Sequence, residues 1–314
     1  AIGVWDRKNG SLHLIRDRLG IKPLYWGSSN ENFYFSSTID ALNEIPFASN
    51  KISKLSISLY LNYGYIPSEN AIFENIKKIK PGFILTIDKN NKVSENCFWN
   101  LEDQVKLNYN TNKFKTFEEA KNEIESLIKD SVKLRMISDA PIGSFLSGGI
   151  DSSLITGLMQ QQSNKKIKTF SIGFNDESYN EANYAKKIAA HLGTDHNELY
   201  LDNKHLLDII PKIHQIYDEP FFDSSSIPTF LLSQFTSGSV KVALSGDGGD
   251  ELFAGYNRYK LARKISKFNK ITPHLFRLIL NKIIKIIPQS KYDVYSFKMQ
   301  KKLGIHAVGE KLYK

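Results

Sequence analysis

Two short segments hold the residues whose types and spacing best suit chemistry. The first, Ser147-Gly148-Gly149-Ile150-Asp151-Ser152-Ser153, gathers two consecutive glycines, three serines and a carboxylate. Paired glycines let the backbone approach a bulky anion with no Cβ in the way. A helix starting directly after them would turn its unpaired N–H groups and positive dipole end toward the same anion, with serine hydroxyls as extra donors. A pyrophosphate fits that description. Asp151 would repel phosphate on its own, so its presence points to Mg2+ between carboxylate and phosphate oxygens. Taken alone, the segment also suits a plain turn with Asp151 or Ser152 as a helix cap. It has no Walker lysine after its glycines and lacks the spaced glycine triplet of dinucleotide-binding folds.

The second segment is Ser245-Gly246-Asp247-Gly248-Gly249-Asp250-Glu251. Three carboxylates this close repel one another and need a cation or a catalytic role to be tolerated at a strand end. An exposed acidic turn is the alternative; an EF-hand is not, because its ligand loop needs twelve residues. In a parallel sheet, ligands sit beyond the carboxyl ends of the strands, so Asp151 and Asp250 are expected to face one crevice and share a magnesium ion.

The elements that must position these loops follow from hydrophobic pattern. Residues 1–100 read as β-rich, with strands at 1–6, 12–16, 24–26, 33–35 and 82–88 separated by turn signals such as Asn9-Gly10, and a short helix over 53–62. Residues 102–115 are polar and aperiodic, which suggests a linker. The pattern then changes. Residues 118–134 carry a helical apolar stripe through Ile124, Ile128 and Val132, continued at Met136. Strands are expected at 142–146, 167–174, 198–201 and 240–244, and helices at 153–162, 179–192, 204–216 and 227–235. Strands alternating with helices imply a parallel sheet covered on both faces. The fold expected is α/β with α+β: a partial β-rich domain over 1–105, then a doubly wound parallel-sheet domain over 116–314.

Composition sets outer limits. The 314 residues are 41% apolar and 24% charged, ordinary for a globular chain. No apolar run is long enough to span a bilayer, and with no signal peptide the expected location is cytoplasmic, without stable membrane insertion. Cys97 is the single cysteine, which excludes an internal disulfide or a paired-thiol metal site; it is expected to be a packed core thiol. The net charge of +9 is concentrated after Asn257, where 15 Lys and Arg face only Asp293 and Glu310. No nucleic-acid motif accompanies these charges, so a solvated helical face is expected rather than nucleic-acid binding. Residues 272–287 have an apolar face that suits packing on a helical domain better than lying on a membrane. His191 and His196 lack metal spacing. Asp218-Glu219-Pro220 either places a carboxylate over the site or caps a loop.

With both loops in view, the sequence resembles the glutamine-dependent asparagine synthetase family. The matching stretches are residues 16–25 (RDRLGIKPLY), 141–153 (PIGSFLSGGIDSS), 169–174 (TFSIGF), 218–221 (DEPF) and 245–256 (SGDGGDELFAGY), in order along the chain. The resemblance implies an N-terminal nucleophile amidohydrolase domain that releases ammonia from glutamine, and a synthetase domain of the ATP-pyrophosphatase type. There the carboxylate of aspartate, or of another small acid, attacks the α-phosphate of ATP; ammonia then displaces AMP. Carried over to this chain, Ser147, Gly148, Gly149, Asp151, Ser152 and Ser153 hold pyrophosphate, Asp151 and Asp250 bind Mg2+, and Leu146, Ile172, Ser245 and Gly246 line AMP. Asp247 stands where better-known members carry a glutamate important for the intermediate; it keeps the carboxylate, one methylene shorter. A homodimer is compatible with the family.

Two departures accompany the likeness. The family's glutaminase nucleophile is a cysteine at the mature N-terminus; here Ala1 opens inside a strand, so truncation is expected. The family's synthetase domain also runs past residue 314, and its adenylation lysine is assigned to no lysine present. The chain as given is therefore expected to bind ATP weakly and catalyse poorly. Two other readings remain: an amidotransferase acting on a sugar acid of surface-polysaccharide synthesis, and a tRNA-modifying ATP-pyrophosphatase. A non-catalytic regulatory protein would not need both aspartates.

Overall fold

The computed structural model describes residues 1–29, 32–46, 48, 51–109, 111, 114–174 and 180–273. The chain divides into two compact units, residues 1–246 and 247–314.

The first unit begins with antiparallel strands. β1 (Ile2–Asp6) and β2 (Ser11–Ile15) form a hairpin. Its turn is held by the Asp6 carboxylate, which accepts from Lys8 N–H at 2.9 Å and Asn9 N–H at 3.2 Å, and by Gly10 at φ +62°. β3 (Tyr25–Ser29) and β4 (Asn32–Ser36) form a second hairpin, followed by α1 (Ile39–Asn43) and α2 (Lys54–Tyr63). Ser53 caps α2 by accepting from Ser56 N–H at 3.2 Å. β5 (Ile76–Lys78), β6 (Phe83–Ile87) and β7 (Val93–Cys97) complete two sheets, ordered β1-β2-β6-β7 and β4-β3-β5. Alternation along β3 explains the layering: Trp26 joins Leu14, Leu24, Ile79, Leu85 and Ile87 between the sheets, while Tyr25 points the other way, onto Tyr34, Ile39, Leu42 and Ile76.

The segment expected to be a linker contains a helix instead, α3 (Leu101–Asn108). Asn100 caps it by accepting from Asp103 N–H at 3.1 Å, and Glu102 pairs with Lys106 at 2.7 Å. None of its residues is buried, so there was no apolar period to read. Cys97 is likewise not a core thiol. β7 is an edge strand with all five residues exposed, and the thiol donates to the Trp99 carbonyl at 3.4 Å.

After α4 (Phe117–Arg135) come β8 (Ile142–Phe145), α5 (Ile150–Gln161), β9 (Lys168–Phe174), α6 (Ala182–Leu192) and β10 (Asp195–Leu201). The helix expected over 204–216 is broken into α7 (Asn203–Ile209), a 3-10 turn (Ile210–Lys212) and α8 (Ile213–Ile216), because Pro211 has no N–H to continue it. α9 (Ser226–Ser237) and β11 (Val242–Leu244) end the unit. The sheet is parallel, in the order β10-β9-β8-β11. One face packs Val132, Leu158 and Met159 of α4 and α5 with Leu244; the other packs Leu201, Ile209 and Leu231 with Ile172 and Phe174. That is the doubly wound arrangement read from the alternating pattern.

In the second unit, α10 (Gly249–Phe253) and α11 (Asn257–Ile271) are described. The stretch over 272–287, apart from residues 272 and 273, and the later part of the basic tail lie outside the described residues, as do residues 175–179, which include the expected start of α6.

Candidate nucleotide site

β8, β9 and β10 progress in one direction across the parallel sheet, and β11 returns to pair on the opposite side of β8. The order therefore reverses between β8 and β11, the point at which such sheets bind ligands beyond their carboxyl ends. The two loops singled out by residue type leave from these two strands.

The loop after β8 is held from several sides. Leu146 N–H donates to the Phe170 carbonyl at 2.9 Å, and its buried side chain packs on Ala185 and Ala189 of α6. Gly148 lies at φ +86°, and a Cβ on it would meet Ala185 N and Tyr184 Cβ at 2.8 Å. Both conditions demand glycine. The serines fold the loop on itself: Ser147 Oγ and Ser152 Oγ are 2.9 Å apart, Gly149 N–H donates to Ser147 Oγ at 3.2 Å, and Ser153 Oγ donates to the Gly149 carbonyl at 2.6 Å.

α5 starts at Ile150, three residues earlier than the pattern suggested, which puts Asp151 in its first turn. Its cap residue is Gly149, with no side-chain cap hydrogen bond. The first turn therefore presents backbone donors that no capping side chain covers, as an anion site requires. Ile150, in contrast, is 87% exposed at the mouth of the loop.

Gly246 brings the two strand ends together. A Cβ there would lie 2.6 Å from Ser152 N and 2.8 Å from the Asp151 carbonyl carbon. The backbone after β11 thus runs directly against the first turn of α5. Of the predicted nucleotide-binding residues, Leu146, Ser147, Gly148, Gly149, Asp151, Ser152, Ser153, Ser245 and Gly246 occupy these two loop ends. Ile172 belongs to β9 and joins the packed cluster of Leu201 and Leu231.

Asp247 and Asp250 fall in the second unit. There Gly248, at φ +92°, leads into α10, and Gly255 N–H donates to the Asp250 carbonyl at 3.0 Å. A Cβ on Gly255 would overlap Asp250 Oδ1, so only glycine leaves that carboxylate in place. Tyr256 Oη donates to Glu251 Oε1 at 2.8 Å; this bond, with burial and nearby carboxylates, pushes the phenol up to about 12. Arg258 stacks 4.2 Å from the Tyr256 ring centroid. Among the described residues, no three His, Cys, Asp or Glu side chains gather as a metal cage. Mg2+ held between a substrate's phosphates and one or two carboxylates needs no such cage.

Two residues that build this region carried no sequence signal of their own. Tyr184 and Ala185 wall off Gly148 from α6. Arg16, in the 16–25 motif, is structural: its guanidinium donates to the carbonyls of Ile79 at 2.6 Å, Gly20 at 3.0 Å and Lys22 at 3.1 Å. Asp218 and Glu219 do not stand over the loops. Asp218 accepts from Ile39 N–H at 3.1 Å and Glu219 from Ile72 N–H at 2.8 Å, and Glu219 also pairs with Lys78. Burial pushes both carboxyl groups above the ordinary carboxylate range.

Comparison with known proteins supplies the family. Residues 123–312 match the asparagine synthase family and residues 1–99 the glutamine amidotransferase domain. A putative glutamine-hydrolysing asparagine synthetase of Methanocaldococcus jannaschii is 37% identical over 86% of this chain and 53% of its own length. Asparagine synthetase 1 of Bacillus subtilis is 32% identical over 91% of this chain and 44% of its own. The chain thus spans about half the length of these curated relatives. An NH3-dependent NAD synthetase of Campylobacter jejuni aligns at 16% identity and a TM-score of 0.30, covering 64% of this chain and 100% of its own, too slight a likeness to reason from. The match over residues 123–312, which takes in both loops, establishes that this chain belongs to the asparagine synthase family.

Proposed function

We propose that the chain carries the ATP-using part of a glutamine-dependent amide ligase that adenylates a small carboxylate, aspartate first, and forms its amide with ammonia from glutamine. In this reading residues 1–105 belong to the amidotransferase domain and residues 116–314 to the synthetase domain, working in the cytoplasm on glutamine, ATP and the acid. The observation that carries it is the close approach of Gly246 to the first turn of α5 at the reversal point of the sheet.

The chemistry asked of the site is to turn a poor acyl donor into a good one. A carboxylate resists attack by nitrogen because of its charge and resonance; adenylation removes the charge and installs a leaving group. The N–H groups of the first turn of α5, with Ser147, Gly148, Gly149, Ser152 and Ser153, receive the β- and γ-phosphates as they depart as pyrophosphate. Leu146, Ile172, Ser245 and Gly246 border the AMP portion, and Asp247 stands by the reacting acyl group. Asp151 and Asp250 are assigned to Mg2+, which when bound neutralises charge developing on the leaving pyrophosphate.

ATP–pyrophosphate exchange in the full-length protein, screened over aspartate, related amino acids and sugar acids, tests this reading. Exchange dependent on aspartate and Mg2+ is expected. Asp151→Asn and Asp250→Asn are each expected to lower it by about a hundredfold or more, the scale on which a transition-state charge stabiliser acts. Exchange with a sugar acid but not aspartate would move the acceptor, and exchange with no carboxylate would remove the ligase reading.

A further inference from the structure

The antiparallel sheets and the parallel sheet share a compact unit, yet their cores are separate. Each of the five hydrophobic clusters draws its described residues from one side alone: two from residues before 98, three from residues after 127. Among the described residues, hydrogen bonds and an ion pair that cross between the two sides gather on one segment. Asp218 Oδ1 accepts from Ile39 N–H, the first residue of α1, whose own cap residue Thr38 makes no side-chain cap bond. Glu219 accepts from Ile72 N–H at 2.8 Å and pairs with Lys78, whose ammonium also donates to the Ile66 carbonyl at 2.9 Å. Lys78 and Glu219 are 13% and 12% exposed, so this pair is shielded from the solvent that weakens surface ion pairs. Phe222 N–H adds a 2.6 Å bond to the carbonyl of Gly64, at the end of α2.

The same segment is tied firmly to the parallel-sheet side. Tyr217 Oη donates to the Ser226 carbonyl at 2.7 Å, in the first turn of α9, and the Tyr217 and Phe221 rings meet edge to face at 4.8 Å. Phe235, near the other end of α9, packs edge to face on Phe170 of β9, and the chain then enters β11 and ends the unit at Gly246. A cavity of about 320 Å³ lies along the segment, lined by Tyr60, Tyr217, Asp218, Glu219 and Phe221 among others.

We propose that Asp218 and Glu219 form a carboxylate latch that docks the amidotransferase side onto the synthetase side, and that they are positioning residues for nitrogen transfer between the two. The latch rests on the proposed function only for its purpose; the docking itself is a property of the fold. A buried charge pair suits that task because its strength depends on exact seating. A small displacement leaves both charges desolvated and unpaired, so partly docked arrangements are disfavoured.

Two measurements test it. In the first, a protease site is placed between Tyr109 and Thr116 of this chain, and the cut protein is run on a sizing column. The two pieces are expected to co-elute from the otherwise unaltered chain and to separate in Glu219→Gln, in Lys78→Met and in Asp218→Asn. Circular dichroism of each variant before cutting shows whether it has folded; pieces of the folded variants that still co-elute would overturn the latch. The second compares amide formation supported by glutamine with that supported by ammonium salt in the full-length protein. Glu219→Gln is expected to lower the glutamine-supported rate by about tenfold while the ammonia-supported rate changes by less than about twofold, since the latch touches no reacting atom. An equal fall in both, or in neither, would overturn the positioning role. If the unaltered protein forms amide from neither nitrogen source, the proposed function fails, and the column still decides whether the latch exists.

Discussion

Glycines at the two loop ends mark where the backbone has no room for a side chain. Gly148 combines φ +86° with a wall of α6 backbone, and Gly246 sits against the Asp151–Ser152 peptide. Gly246→Ala must push β11's end away from α5 and is expected to weaken MgATP binding about tenfold and to cost roughly 1–3 kcal/mol of stability, the usual range for overpacking. Gly148→Ala adds an unfavourable backbone angle to the same overlap and is expected to cost at least as much. Titration calorimetry and urea unfolding check both; unchanged affinity in Gly246→Ala would mean that the close approach has no part in the nucleotide site. At this scale the sequence was legible where chemistry restricts residue type: consecutive glycines, serines and aspartates announce themselves. It was opaque where the partner is remote. Nothing near Glu219 in the chain points to Ile72, which lies 147 residues away.

Among the elements, the parallel strands were read from apolar runs, and the one read short shows why. β10 begins at Asp195 rather than Glu198, because its early residues, exposed Asp195 and half-buried His196 and Asn197, are polar and break the apolar pattern. His196 Nδ1 lies 2.9 Å from Thr169 Oγ1, and its Nε2 3.3 Å from Ser171 Oγ and 3.4 Å from Glu198 Oε1. Burial holds this imidazole below its ordinary pKa, an effect greater than the opposing pull of Glu198. The unfolded chain therefore takes the proton more readily than the folded one, so stability falls as pH drops through the ordinary imidazole range and toward the lowered folded value. Urea midpoints across that range should decline on the acid side, and His196→Gln should flatten the decline. An unchanged slope in that variant would show that His196 does not titrate in this way. The helix α3 was missed for a related reason. It carries an Asn100 cap and an exposed Glu102–Lys106 pair and buries none of its residues, so it leaves no apolar stripe.

For the whole molecule, the separate cores explain how so much was readable piece by piece. Each side follows its own period, two for the antiparallel strands and 3.6 for the helices over the parallel sheet, and neither pattern is blurred by the other. The described polar ties between them gather at Asp218, Glu219 and Phe222, and only the structure shows them. The charge asymmetry, with basic residues crowding the chain after Asn257, runs through α11, where Arg258, Lys260, Arg263, Lys264, Lys267 and Lys270 follow one another along the helix. No described helix is long and apolar enough to cross a membrane.

In the proposed function, the loop after β8 and the end of β11 together receive the phosphates of ATP. Amide hydrogen exchange of the chain with and without millimolar MgATP tests it most directly. Slowed exchange is expected over Gly148–Ser153 and at Ser245 and Gly246, dependent on Mg2+ and lost in Asp151→Asn. Protection confined to other segments, with these amides exchanging at the same rate in both conditions, would contradict it.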